Sequence, residues 1–283
     1  MKFYPRGEKE LLGPFHQFMT GDTFEWFDDR GVPLKIEDDN RVFPEANTSQ
    51  EIIDCFQKAV DKLKIKVLTN HGVNSVFQQE SKWIVNTKEQ IFEADKLVIA
   101  AGSSKKVWEL CESLDHAIIP PVPSLFTFNI NDKRLVDLLG TAVPNATVKI
   151  VNTKLEASGP LLITHWGMSG PAILKLSSLG ARLLNEKKYD FKIQVNWINE
   201  SNNEKIADEI KQIIKLHPNK IINNIKPLKL PERLWNFIVE KSELPDNKKW
   251  GELGKKGINK IVNLLSNDIY HVKGKTTFKE EFV

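Results

Sequence analysis

A chain of 283 residues, 41% hydrophobic and 27% charged, has the composition of an ordinary folded protein and enough length for two or three compact units. A formal charge of +3, from 40 basic and 37 acidic residues, is too weak to mark a nucleic-acid binder, and no dense basic patch interleaved with aromatics stands out. Cys55 and Cys111 share no metal-ligand or CxxC spacing, and no apolar run reaches membrane-spanning length. This argues against a disulfide framework, a metal site and a membrane span, and makes a cytoplasmic protein the default.

Apolar residues at helical spacing predict a helix from Glu8 to Met19 and a shorter one from Asp22 to Asp29. Pro33–Ile36 and Arg41–Phe43 flank the turn-forming Glu37-Asp38-Asp39-Asn40, which predicts a hairpin. Ile52, Ile53, Phe56, Val60 and Leu63 recur at three and four behind a Thr48 or Ser49 cap, a helix to about Lys64. Short strands are expected at Ile65–Leu68, Gly72–Phe77, Trp83–Val85 and Gln90–Phe92, forming a small meander with polar turns between them. Leu97–Ala101 is continuously apolar and ends in Gly102-Ser103, the pattern of a parallel-sheet strand covered on both faces. Small residues at the carboxyl end of such a strand let a ligand approach the backbone, although an ordinary turn would look the same.

A helix follows from Lys105 to Leu114, and Pro120-Pro121-Val122-Pro123 predicts a domain crossing. Beyond it, strands at Leu125–Ile130, Thr147–Val151, Leu161–Thr164 and Phe191–Val195 suit a compact barrel or sandwich. From Asn203 to Leu265 the apolar spacing becomes helical, and Tyr270–Val272 and Thr276–Phe278 return to strand character.

The stretch Thr164-His165-Trp166-Gly167-Met168-Ser169-Gly170-Pro171 reads as a strand, a tight loop and a helix start. Such a corner can leave the amides around Ser169 and Gly170 free for a carboxylate, a phosphate or a ring edge. A purely structural corner, with Ser169 capping the helix, fits the same residues. Gly167-Met168-Ser169-Gly170-Pro171 also approaches the serine-hydrolase elbow, but Pro171 stands in the last glycine's place and neither His217 nor His271 has a motif around it. Gly251–Gly257 fails the Walker spacing, and no GxGxxG appears.

Arg41-Val42-Phe43-Pro44, Leu97–Gly102, Pro123-Ser124-Leu125 and above all Thr164–Pro171 resemble the BaiN-type family of flavoproteins, NAD(P)/FAD-dependent oxidoreductases that include the aminoacetone oxidase-like group. The resemblance implies an α/β (α+β) fold, a partial Rossmann-like FAD domain with an inserted β-barrel and a small helical bundle. The corresponding divisions are 1–122 for the FAD domain, 123–200 for the barrel, 201–268 for the helices and 269–283 for a return strand. It further implies FAD contacts at Val73, Ala100, Ala101, Gly102, Arg41 and Phe43, and a substrate pocket at Thr164, His165, Gly167, Ser169 and Gly170. NAD(P)H would be the reductant and a small molecule the substrate, with neither nucleic acid nor a membrane as partner.

The family's opening GxGxxG segment and its closing glycine-rich segment have no counterpart here, so the chain is expected to be a fragment that binds FAD weakly or not at all. The alternative from another class is a non-catalytic module whose barrel and helices bind a protein or RNA.

Overall fold

A computed structural model describes residues 4, 6–38, 40–102, 104–245 and 247–277. Of the residues used in the sequence reading, Asp39, Ser103, Phe278 and 279–283 lie outside this set. The chain divides into two compact units, Met1–Ile118 and Ile119–Val283.

The first unit opens with α1 (Glu8–Gln17) and α2 (Thr20–Asp28), followed by a ribbon of β1 (Leu34–Ile36) and β2 (Val42–Pro44) in which Lys35 faces Phe43. α3 (Ser49–Lys62) starts where the Thr48 hydroxyl accepts the Gln50 amide at 3.2 Å, the cap its sequence promises. β3 (Val73–Gln79), β4 (Lys82–Thr87) and β5 (Ile91–Ala94) form an antiparallel meander, and α4 (Lys105–Glu112) follows.

Two expected strands do not form. Ile65–Leu68 and Leu97–Ala101 lie outside any ladder, with Val67 61% and Val98 85% exposed. An apolar run becomes a strand only when a neighbour takes up its backbone groups, and among the described residues of this unit every sheet is antiparallel and leaves these two segments unpaired. Among the described residues the buried apolar side chains here are Val32, Cys55 and Val76, against several dozen in the second unit.

The second unit is built on one curled antiparallel sheet. Its strands are β6 (Thr127–Asn129), β7 (Ala142–Ile150), β8 (Glu156–Thr164), β9 (Gly167–Ser169), β10 (Asp190–Asn196), β11 (Asp268–Lys273) and β12 (Lys275–Thr276). Their order is β11-β10-β7-β8-β9-β6-β12. β11 and β12 are consecutive in the chain, so the sheet closes on itself: Gly274 (φ +94) bends the last strand, whose first half pairs β10 and whose second pairs β6. Burial alternates along β10 and β11, as a barrel with one inward face requires.

α5 (Pro171–Leu179) packs Ala172, Ile173 and Leu176 against the strands, and Ser177 accepts the Phe126 amide at 3.1 Å. At Gly180 the helix gives way to a second one, α6 (Ala181–Glu186).

Between β10 and β11 the chain makes α7 (Asn203–Leu216), α8 (Glu232–Lys241) and α9 (Lys255–Ser266), with short 3-10 turns at Ile222–Asn224 and Trp250–Glu252. Trp235 and Trp250, both fully buried, stack 5.9 Å apart at 8°. This is the mixed α/β architecture with an inserted barrel and helical bundle that the sequence implied.

Candidate functional site

The Thr164–Pro171 corner is a hairpin before it is a helix start. β8 and β9 pair Leu162 with Ser169, Ile163 with Met168 and Thr164 with Gly167, which leaves His165-Trp166 as a two-residue turn. The Thr164 hydroxyl accepts the Trp166 amide at 3.3 Å. β9 also pairs with β6, and the Ile130 amide donates to the Trp166 carbonyl at 2.8 Å.

The glycines answer to this packing. A Cβ on Gly167 (φ +142) would sit 2.3 Å from the Phe128 carbonyl oxygen, and one on Gly170 (φ +92) would sit 2.8 Å from that of Pro160. The expected open nest is therefore corrected: Ser169 is a ladder residue whose hydroxyl accepts from Thr127 at 3.0 Å, and Met168 is fully buried. A nucleophile elbow is excluded for the same reason, because Ser169 lies in a strand and its hydroxyl meets a threonine rather than an imidazole. What the corner does present outward is His165 and Trp166, the latter 54% exposed.

In the first unit the residues assigned to the cofactor occupy three separate elements. Arg41 lies over the Phe43 ring at 5.3 Å, Val73 opens β3 opposite Thr87, and Ala100, Ala101 and Gly102 are exposed in the unpaired segment. Beside Phe43 runs a largely apolar groove of about 680 Å³, floored by Phe27, Leu34, Val42 and Ile52. FAD also needs a backbone cradle for its pyrophosphate. A Cβ on Gly102 would meet open space, so no cradle is formed there, and these residues alone do not fit the whole cofactor.

A feature that sequence reasoning missed is a polar groove of about 380 Å³ on the outer wall of the barrel. Outward-facing Thr147 of β7, Ser158 of β8 and Gln194 of β10 meet Asn199 and Asn267 there. Thr147 bonds Ser158 at 2.7 Å and also Asn199, while the Gln194 amide donates to Asn267 at 2.7 Å. Such a wall offers mostly neutral donors and acceptors to a polar ligand, with the charged Lys149 and Glu156 also lining it. Its residues come from three strands, the ends of α7 and α9 and the loops beside them, so no motif gathers them; the available signal was the run of amides and hydroxyls at outward positions.

The strongest electrostatics lie inside this unit. Asp268, 2% exposed, accepts Lys241 Nζ at 2.5 Å, the Tyr270 hydroxyl at 2.6 Å and the Trp197 indole at 3.1 Å. Burial, and then the Asp268 carboxylate, push the Tyr270 phenol well above its ordinary range. Nearby, the Arg134 hydrogen bond holds Asp132 below the usual carboxylate range. Each group of the Asp268 cluster is satisfied by another, which marks a structural pin between the helices and the barrel.

A closed antiparallel barrel with a helical bundle inserted before its last strand defines a two-part module of barrel and helices. Residues 122–283, more than half of the chain, match the family described as HI0933-like protein barrel and H2TH domain, and the chain belongs to this family, which lies in the FAD-dependent oxidoreductase superfamily of BaiN/HI0933 type. The chain is 25% identical over 211 residues to the ribosomal RNA dihydrouridine synthase of Escherichia coli (strain K12), a match covering 71% of this chain and 50% of that protein. It is 23% identical over 212 residues to the protein of the same name from Haemophilus influenzae (strain ATCC 51907 / DSM 11121 / KW20 / Rd), covering 70% and 50%. The chain thus spans about half the length of the curated relatives it matches. The resemblance read from the sequence holds at the level of the superfamily, and these relatives carry the dihydrouridine synthase name rather than that of BaiN.

No helix among the described residues is long and apolar enough to cross a membrane.

Proposed function

We propose that this chain is part of a flavin-dependent reductase whose substrate is a uracil base in ribosomal RNA, with FAD as the redox carrier and NAD(P)H as the source of electrons. The observation that carries the reading is the family match over the whole barrel-and-helix unit, joined to two relatives that share one name. The small-molecule substrate suggested by the sequence gives way in this proposal to a base within RNA, and FAD when bound supplies the two-electron chemistry.

This chain's own part is to present substrate. His165 and Trp166 project from the β8–β9 turn on a rigid barrel, where an indole can stack on a base and an imidazole can hydrogen-bond its edge. Gly167 and Gly170 shape the turn, while Thr164 holds it closed. The 1–122 segment, with the Phe43 groove, is assigned to the cofactor side, and 123–283 to the substrate side.

The test is incubation of the purified product of the complete gene with deproteinised ribosomal RNA and NAD(P)H. Dihydrouridine in the nucleoside digest is the expected product. Oxidation of NAD(P)H with no dihydrouridine would leave a flavin reductase and remove the RNA substrate.

A further inference from the structure

The segment 203–267 holds thirteen Lys and Arg against eight Asp and Glu, while the whole chain is nearly balanced. The fold gathers part of that excess at one end of the helical bundle. Two loops run side by side there: the Trp250 amide donates to the Lys220 carbonyl at 2.9 Å, the Ile222 amide to Lys248 at 2.9 Å and the Gly251 amide to Pro218 at 2.8 Å. Ile221 and Lys249 form an isolated antiparallel bridge. This clasp brings the end of α7, with Lys215, beside Lys220, Lys248 and Lys249, and α9 starts four residues after Gly251 with Lys255 and Lys256.

Within 215–221 and 247–257 the sequence has six lysines and a single acidic residue, Glu252. Glu252 is engaged locally, with its carboxylate accepting the Lys249 amide at 3.4 Å and lying 3.8 Å from Lys248 Nζ. Five of the six lysines are exposed, and Leu216 beside them is 70% exposed. Scattered lysines would read as a solvated face. Here backbone hydrogen bonds fix two lysine-bearing segments side by side, against the mutual repulsion of their cations, and Glu252 is the one carboxylate among the described residues of those segments.

From this clustering we infer that the clasp between residues 215–221 and 247–257 is a docking surface for the phosphate backbone of RNA. The cluster itself demands a polyanion, and the choice of RNA rests on the proposed function. Phosphate contacts of this kind set orientation and affinity, not sequence, so the surface would hold ribosomal RNA while other residues select the base.

The inference is tested by fluorescence anisotropy with a fluorescein-labelled 24-nucleotide RNA stem-loop, titrated at several salt concentrations. The chain carrying Lys220→Gln, Lys249→Gln, Lys255→Gln and Lys256→Gln is compared with one carrying Lys154→Gln, Lys187→Gln, Lys188→Gln and Lys192→Gln, which removes equal charge from exposed barrel positions. Circular dichroism melts confirm that both fold.

The clasp variant is expected to bind about 100-fold more weakly at 0.1 M salt, with a salt slope lower by about 3, as loss of roughly four phosphate contacts requires. The barrel variant should stay within about threefold of the parent. Equal losses in both variants, or none in the clasp variant, would overturn the inference while leaving the reductase reading intact. A parent chain that fails to bind this RNA would overturn it too. The reductase reading has its own readout, dihydrouridine formation, so the two failures are told apart.

Discussion

Asp268 carries three hydrogen bonds in a nearly dry setting, and what happens when it is changed shows how single residues hold this protein together. Asp268→Asn keeps the volume but leaves Lys241 as an uncompensated, half-buried charge, and chemical denaturation is expected to show a loss of about 3–5 kcal/mol. Because folding holds the Tyr270 phenol protonated above its ordinary range, its stabilising effect is complete below about pH 10 and is lost as pH rises further. Melting temperature should therefore fall steeply above pH 10, and Tyr270→Phe should flatten that limb. At the acid end Asp132 works the other way: its lowered pKa means that the Arg134 pair stabilises above about pH 4 and is lost as pH falls through the shifted value. Gly167→Ala would force a Cβ into the backbone of β6 and is expected to cost at least about 3 kcal/mol. Gly254→Ala meets open space and gives up only the cap preference at the start of α9, so it should cost about 0.5–1 kcal/mol. A Gly167→Ala protein as stable as the parent would refute the view that this glycine is there for strand approach. His165 is exposed, so His165→Ala should leave the melt within about 0.5 kcal/mol while lowering dihydrouridine formation.

Among the elements, α8 ties the helices to the barrel at both of its ends. Arg233 donates to the Leu139 carbonyl at 2.9 Å and to that of Asp137 near one end, and Lys241 meets Asp268 near the other. Helices of this kind were legible from periodicity alone: α7, α8 and α9 each bury one apolar stripe, and α3 carries the same spacing although Cys55 is its one buried residue. The β3–β5 meander was legible too, since alternation and turn residues are local signals. The sequence misled at Ile65–Leu68 and Leu97–Ala101, whose strand character depends on a neighbouring strand that composition cannot supply. It misled again at Thr164–Pro171: glycines needed for strand-to-strand approach and glycines that cradle a ligand look alike until the chain is folded. The polar groove and the lysine clasp were illegible for a third reason, that each joins residues far apart in the chain.

Taken as a whole molecule, the two units differ in how much apolar surface they hide. The second buries a continuous core from Phe126 to Val272, whereas the first, among the described residues, buries three apolar side chains and exposes Ile36, Leu63, Val67, Ile91 and Val98. Burial of this kind is the main source of stability, so thermal unfolding should proceed in two steps, the first from 1–118 at the lower temperature and accompanied by loss of its helical signal. A single cooperative transition in calorimetry would contradict that division. Among the described residues Gly102 forms no pyrophosphate cradle, and purified alone the chain is expected to carry less than stoichiometric flavin by absorbance near 450 nm. The central claim, that the chain serves a reductase of uracil in ribosomal RNA, is tested most directly by mass spectrometry of ribosomal RNA nucleosides from cells in which the gene encoding it has been deleted. Loss of dihydrouridine, restored when the intact gene is returned, is the expected result; an unchanged dihydrouridine content would contradict the account.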